Sequence, residues 1–176
     1  MPITDILNKN ADFYPSDVSL VEINPKLDTQ ERMTWREYSL IVTNPNESYR
    51  KEITWSEFNK KANRLANFLL TRGIKKGDKV AILLMNCIEW LPIYFGILKT
   101  GALAVPLNYR YTADEIKYCL DLADADVLIF GPEFTGRVEQ VCTDAKRVKM
   151  WLDAGEACPS FPESYDKLVT YCSGKT

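Results

Sequence analysis

The sequence predicts an α/β fold: a doubly wound, mostly parallel sheet with helices on both faces. Three observations lead there. Short apolar runs such as Val80–Leu84 are continuous rather than alternating, as strands covered on both faces should be. Between them lie stretches with apolar residues at helical spacing, in strict alternation from residue 53 to 152. Helix-start and helix-stop residues mark most of the junctions.

Taken in order, Ile3–Phe13 reads as an opening helix, and Pro15-Ser16-Asp17 leads into a strand at Val18–Ile23. Asn24–Tyr49 is polar, and its length calls for a short element of its own, placed as a helix near Trp35–Ile41. Met33-Thr34-Trp35-Arg36-Glu37-Tyr38 and Ile53-Thr54-Trp55-Ser56-Glu57-Phe58 echo each other, and Thr112-Ala113-Asp114-Glu115 repeats their T-x-x-E core. That spacing is the capping box, in which Thr and Glu each satisfy a helix N–H that has no partner inside the helix.

The clearest helix runs from Trp55 to Arg72. Phe58, Ala62, Leu65 and Leu69 form its apolar face and Lys60, Lys61 and Arg64 are left for solvent. Gly73 supplies its left-handed end, and Gly77-Asp78 turns the chain. Strands follow at Val80–Leu84, Ala102–Val105, Asp126–Phe130 and Val148–Leu152. Helices follow at Ile88–Thr100, with Asn86 as its N-cap, at Thr112–Leu122 and at Pro132–Asp144. Pro92 falls just beyond the first helical position where proline is tolerated, so the first of these helices should start later or bend. The organisation expected is an N-terminal helix, strand and polar connection (1–52), an alternating core lobe (53–152) and a peripheral tail (153–176).

Composition excludes several classes. Net charge is -2, without the basic excess that nucleic-acid binding requires. Five scattered cysteines with no C-x-x-C pair read as buried free thiols in a reducing compartment. Val80–Leu107, the most apolar region, is interrupted by Asn86, Glu89, Pro92 and Lys99, so no transmembrane segment is expected and the cytoplasm is the expected location. The chain has no histidine, the commonest general base and metal ligand. Met85–Trp90 after the first core strand holds no glycine, against a dinucleotide fingerprint. Gly174-Lys175-Thr176 mimics the end of a phosphate loop, but the first glycine of that motif would fall on Val169. Asp121, Asp124 and Asp126 read as a solvated loop, and Trp90, Tyr94 and Phe95 as core at helical spacing.

A set of segments in order then resembles the N-terminal portion of the adenylate-forming, AMP-binding superfamily, of the acyl-CoA synthetase type. These are I-T-W-S-E-F at Ile53–Phe58, A-N-R-L-A-N-F-L at Ala62–Leu69 and G-I-K-K-G-D-K-V-A-I at Gly73–Ile82. N-C-I-E-W-L-P at Asn86–Pro92, G-I-L-K-T-G-A-L-A-V-P-L-N-Y-R at Gly96–Arg110 and T-A-D-E-I at Thr112–Ile116 complete it.

The resemblance implies an enzyme that activates a carboxylic acid, with fatty acids foremost, using ATP and Mg. An acyl-adenylate forms first, and the acyl group then passes to CoA. It also implies that the residues doing this chemistry lie beyond Thr176, so that the chain is a fragment, inactive alone, with no catalytic or metal residue and no ligand of its own. Tyr171-Cys172-Ser173-Gly174 mimics the start of the family's ATP loop and then departs from it. The partners implied are small-molecule substrates, the remainder of the same polypeptide, and a second copy through exposed apolar surface.

One binding residue carries over: Leu107-Asn108-Tyr109-Arg110 matches the L-N-x-R segment whose arginine, in some CoA ligases of the family, contacts the nucleotide phosphate of CoA. Its guanidinium suits a phosphate; an ion pair with Asp114 or Glu115 is the competing role. Trp90 and Tyr94 are the candidates for lining an acyl pocket. An adenylation domain for an amino or aryl acid and a free-standing α/β binding module remain the other readings.

Overall fold

The computed structural model describes residues 2–23, 50–154, 163–164 and 172–174. The helix expected near Trp35–Ile41, Cys158 and residues 165–171 of the tail lie outside the described residues. The elements run α1 (Ile3–Phe13), β1 (Val18–Ile23), β2 (Arg50–Thr54), α2 (Trp55–Thr71), β3 (Lys79–Leu83), α3 (Trp90–Lys99), β4 (Leu103–Pro106), α4 (Ala113–Leu122), β5 (Val127–Phe130), α5 (Thr135–Val141), β6 (Met150–Asp153) and β7 (Glu163–Ser164). A short 3₁₀ turn, Pro132–Phe134, leads into α5.

The main sheet has the order β4-β3-β5-β6-β7, and every pairing in it is parallel. Side chains alternate across it. Val80, Ile82, Val127 and Ile129 pack with Leu65, Leu69, Ile93 and Ile97 of α2 and α3 on one face. Ala81, Leu83, Leu128 and Phe130 pack with Ile116, Leu120, Val138 and Val141 of α4 and α5 on the other. Helices therefore cover both faces, as the uninterrupted apolar strands require.

Strand β2 is absent from the sequence reading. Its residues, Arg50 to Thr54, are mostly polar and carry no apolar run. What makes it a strand is its antiparallel partner β1, which sets Glu22 opposite Lys51 and Leu20 opposite Ile53. Strand β7, two residues long against β6, is too short for any periodicity to mark it.

Both described capping boxes form. Thr54 Oγ1 accepts from the Glu57 N–H at 3.2 Å while the Thr54 N–H donates to Glu57 Oε2 at 2.7 Å, and Thr112 with Glu115 does the same before α4. Helix α3 starts at Trp90, later than the sequence suggests. Pro92 then falls among the first four residues, whose N–H groups have no partner inside a helix, and costs no hydrogen bond. Asn86 is exposed in the preceding connection, and the cap position belongs to Glu89 without a capping side chain. Glu89 instead receives Lys61 Nζ at 2.8 Å, tying α3 to α2.

Three other expectations are corrected. Arg64 is only half exposed, with its Nε buried. The cysteines 87, 119, 142 and 172 are half-buried rather than fully enclosed. Asp126 is buried, not solvated: it caps the sheet by accepting from the Lys79 N–H at 3.0 Å and from Lys149 Nζ at 3.2 Å. Burial pushes its carboxyl up, yet the Lys79 N–H, Lys149 and Arg147 outweigh burial and hold it below the ordinary range.

Helices α2 and α3 touch at Gly96. A Cβ there would lie 2.9 Å from both the Ala62 carbonyl oxygen and the Leu65 Cβ, so α3 approaches α2 backbone to backbone. Gly136 in α5 has no neighbour within 4 Å of such a Cβ. Gly96→Ala is therefore expected to destabilise the chain by about 1–3 kcal/mol. Gly136→Ala should stabilise it by about 0.5–1 kcal/mol. Urea unfolding of the two variants checks the opposite signs, and a stabilised Gly96→Ala would contradict the close approach.

Candidate functional site

The carboxyl ends of the parallel strands define where ligands reach such a sheet. The helix after β3 (α3) lies on one face and the helix after β5 (α5) on the other, so the chain changes direction between these two neighbouring strands. In open α/β sheets the crevice outside that point is the usual binding position.

Here a carboxylate fills it. Glu133, just past β5, reaches back so that Oε1 accepts the Met85 N–H at 3.3 Å beyond β3. Gly131 makes room, since a Cβ there would sit 2.5 Å from Glu133 Oε2. Burial pushes the Glu133 carboxyl up, and the charge of Asp153, fully buried at the end of β6, pushes it the same way. Sequence reasoning missed both residues; the only signal was a Gly-Pro-Glu turn directly after an apolar run.

Arg110 lies one strand over. It sits in the connection Leu107–Thr112 between β4 and α4, exposed, with its Nε donating to Tyr109 Oη at 3.1 Å and its guanidinium 5.4 Å above the Tyr109 ring. The connection is tightly held. The Leu107 N–H donates to Ile82 O at 2.8 Å, the Arg110 N–H to Asn108 Oδ1 at 3.0 Å and the Tyr111 N–H to Asn108 O at 3.1 Å. From α5, Arg137 Nη1 donates to both the Tyr109 and the Tyr111 carbonyl oxygens, each at 2.9 Å. Glu115, a candidate ion partner, has its Oε2 engaged by the Thr112 N–H at 2.8 Å and the Thr112 hydroxyl at 3.0 Å. An exposed guanidinium on a fixed turn fits a phosphate that approaches from solvent.

Trp90 and Tyr94 do not meet Arg110. They stack on each other in the first turns of α3, ring centroids 5.4 Å apart, against the α2–α3 face of the sheet, whereas Tyr109 and Tyr111 pack on the opposite face. Both rings are half-buried beside the core.

A shallow cleft of about 340 Å³ lies between β1 and the connection that precedes α3, lined by Leu20, Glu22, Cys87, Ile88 and Leu91 among others. Burial pushes its Cys87 thiol up to about 11, so the sulfur stays protonated and is a poor nucleophile. Among the described residues no three His, Cys, Asp or Glu side chains gather as a metal site. No helix of the described residues is long and apolar enough to cross a membrane. Residues 172–174 are not helical; they lie along α2, where Asn63 Nδ2 donates to Gly174 O at 3.0 Å and Asn67 Nδ2 to Ser173 O at 2.6 Å.

Comparison with known proteins gives this parallel, doubly wound lobe a family. The chain belongs to the AMP-binding enzyme family, whose sequence model matches residues 7–167. A Mycobacterium marinum medium/long-chain-fatty-acid–CoA/3-oxocholest-4-en-26-oate–CoA ligase is 40% identical over 93 residues, 53% of this chain and 17% of that protein. A crotonobetaine/carnitine–CoA ligase of Escherichia coli is 39% identical over 112 residues, 60% of this chain and 22% of its own length. The matches thus span about a fifth of these curated relatives.

Among solved structures, the anthranilate CoA ligase AuaEII in complex with anthranoyl-AMP superposes with a TM-score of 0.79 at 23% identity, covering 100% of this chain and 30% of that one. The N-terminal domain of FACL13 from Mycobacterium tuberculosis gives 0.75 at 24% identity, covering 99% and 37%. At these identities the likeness concerns the fold.

The half-buried Glu133 gives a pH signature. The folded state raises the Glu133 pKa above its ordinary 4.5, so it holds that proton more tightly than the unfolded chain does. The stability this confers is complete below the unfolded value and is lost as pH rises through the folded one. Glu133→Gln does not titrate and keeps an oxygen for the Met85 N–H. It should therefore gain stability relative to wild type as pH rises above the unfolded value, as read by thermal melts over a pH series. A difference that is flat with pH would contradict the placement of Glu133 in the crevice.

Proposed function

We propose that the chain is the first lobe of an AMP-forming acid–CoA ligase that acts on fatty acids. In this reading the acid's carboxylate attacks the α-phosphate of ATP, giving an acyl-adenylate and pyrophosphate. The CoA thiol then displaces AMP to form the thioester. The observation that carries it is the family match over residues 7–167, joined by relatives near 40% identity that are fatty-acid–CoA and carnitine–CoA ligases.

The lobe's own contribution is to bind and orient. Arg110 is assigned to the nucleotide phosphate of CoA. Its exposure, the fixed turn beneath it and the acidic character of the neighbouring crevice all support a phosphate at this turn rather than over the strand ends. Trp90 and Tyr94, stacked where α3 begins, are assigned to the wall of the acyl pocket, for which their half-buried aromatic faces are suited. The ATP loop and the magnesium ligands are assigned to residues outside this lobe. The cytoplasm, where ATP and CoA are available, is the proposed location.

With protein produced from the complete reading frame, ATP, Mg and a series of fatty acids, formation of acyl-CoA should track release of AMP and pyrophosphate one to one. Release of ADP and orthophosphate instead would overturn the reading. The 176-residue chain alone should release no pyrophosphate. Arg110→Gln should narrow the preference for CoA over dephospho-CoA roughly tenfold, the worth of one charge-assisted contact; kcat/KM for the two thiols measures it.

A further inference from the structure

Arg137 has no place in the sequence pattern that leads to Arg110, yet the fold brings it under the same turn. It lies near the start of α5, 27 positions beyond Arg110 in the chain. A single nitrogen, Nη1, donates to the carbonyl oxygens of Tyr109 and Tyr111, 2.9 Å each, and so grips the backbone on both sides of Arg110. Its guanidinium stands 5.7 Å over the ring of Phe134, which is buried at 1% exposure, so the anchor is itself fixed to the core.

The other restraints on the turn are local. Asn108 closes it through its own side chain and carbonyl oxygen, and the Leu107 N–H bonds to β3. Arg137 alone among these named contacts ties the turn to a different helix. Without it, Tyr109 and Tyr111 keep their apolar contacts to the core but their peptide planes lose a shared donor. The Arg110 side chain, which leans on Tyr109 through both its ring and its hydroxyl, would lose its fixed platform.

We propose that Arg137 is a positioning residue for the CoA phosphate contact: it holds the Tyr109–Tyr111 backbone so that the Arg110 guanidinium is presented in one orientation before the phosphate arrives. Preorganisation of this kind lowers the ordering cost of binding rather than adding a contact. The inference rests on the assignment of Arg110 to the CoA phosphate.

It is tested with protein from the complete reading frame, by initial rates at varied CoA, dephospho-CoA and ATP for wild type, Arg110→Gln, Arg137→Met and Arg137→Lys. Arg137→Met removes both donors and should raise the KM for CoA roughly five- to tenfold. The KM values for dephospho-CoA and ATP should stay near wild type. Lysine offers an ammonium that can donate to both carbonyls, so Arg137→Lys should restore most of the CoA preference. A general loss of structure would move all three KM values together and would not be rescued by lysine. Should Arg137→Met not fold, Arg137→Gln, a shorter arm with one donor nitrogen, takes its place with the same two outcomes.

If Arg110→Gln removes the CoA preference while Arg137→Met leaves it intact, the positioning role is overturned and the Arg110 assignment stands. If Arg110→Gln leaves the preference unchanged, the Arg110 assignment fails and this inference fails with it. Absence of any CoA-dependent turnover overturns the ligase reading and both residue roles.

Discussion

Strand β3 is hydrogen-bonded along both edges, to β4 and to β5, and buried on both faces. Val80, Ala81, Ile82 and Leu83 are each 1% exposed or less. Every other part of the lobe is positioned relative to that strand. Helices α2 and α3 pack on one of its faces and α4 and α5 on the other. The connections Met85–Glu89 and Leu107–Thr112 leave from β3 and from its neighbour β4. Burying an apolar side chain of this size contributes about 1.5–3 kcal/mol, and four adjacent ones in a single strand concentrate that gain where both sheet halves meet.

The crevice where the chain reverses direction is used unusually. In nucleotide-binding sheets it receives a phosphate at a helix N-terminus. Here Glu133 accepts the amide that a phosphate would otherwise meet, and Asp153 adds a second acid behind it. Arg110, on the turn after β4, lies one strand away from this pair of acids.

Much of this could be read from residue order, and the reasons are local. Val80–Leu84 announces a covered strand because no polar residue breaks it. Thr54 with Glu57, and Thr112 with Glu115, announce helix starts because the box needs only four consecutive residues. Pro92 constrained the start of α3 for the same reason. What escaped is what depends on a distant partner. Strand β2 exists because β1 pairs with it, Asp126 is buried because Lys79 and Lys149 converge on it, and Glu133 turns inward because Gly131 leaves space. At the candidate site, Arg110 could be singled out from its own segment. The contact of Arg137 with its turn could not, because 26 residues of helix and strand separate the two and nothing in spacing links them.

The edge strand β4 has one further property. The Leu103 and Leu107 amides donate inward to Asp78 and Ile82, so by the two-residue period of a strand the Ala104 and Pro106 nitrogens face outward. Proline has no hydrogen there to give. A neighbouring chain that tried to extend the sheet laterally would find a single donor where a full ladder needs two. Fibril-like growth across this border is thereby discouraged.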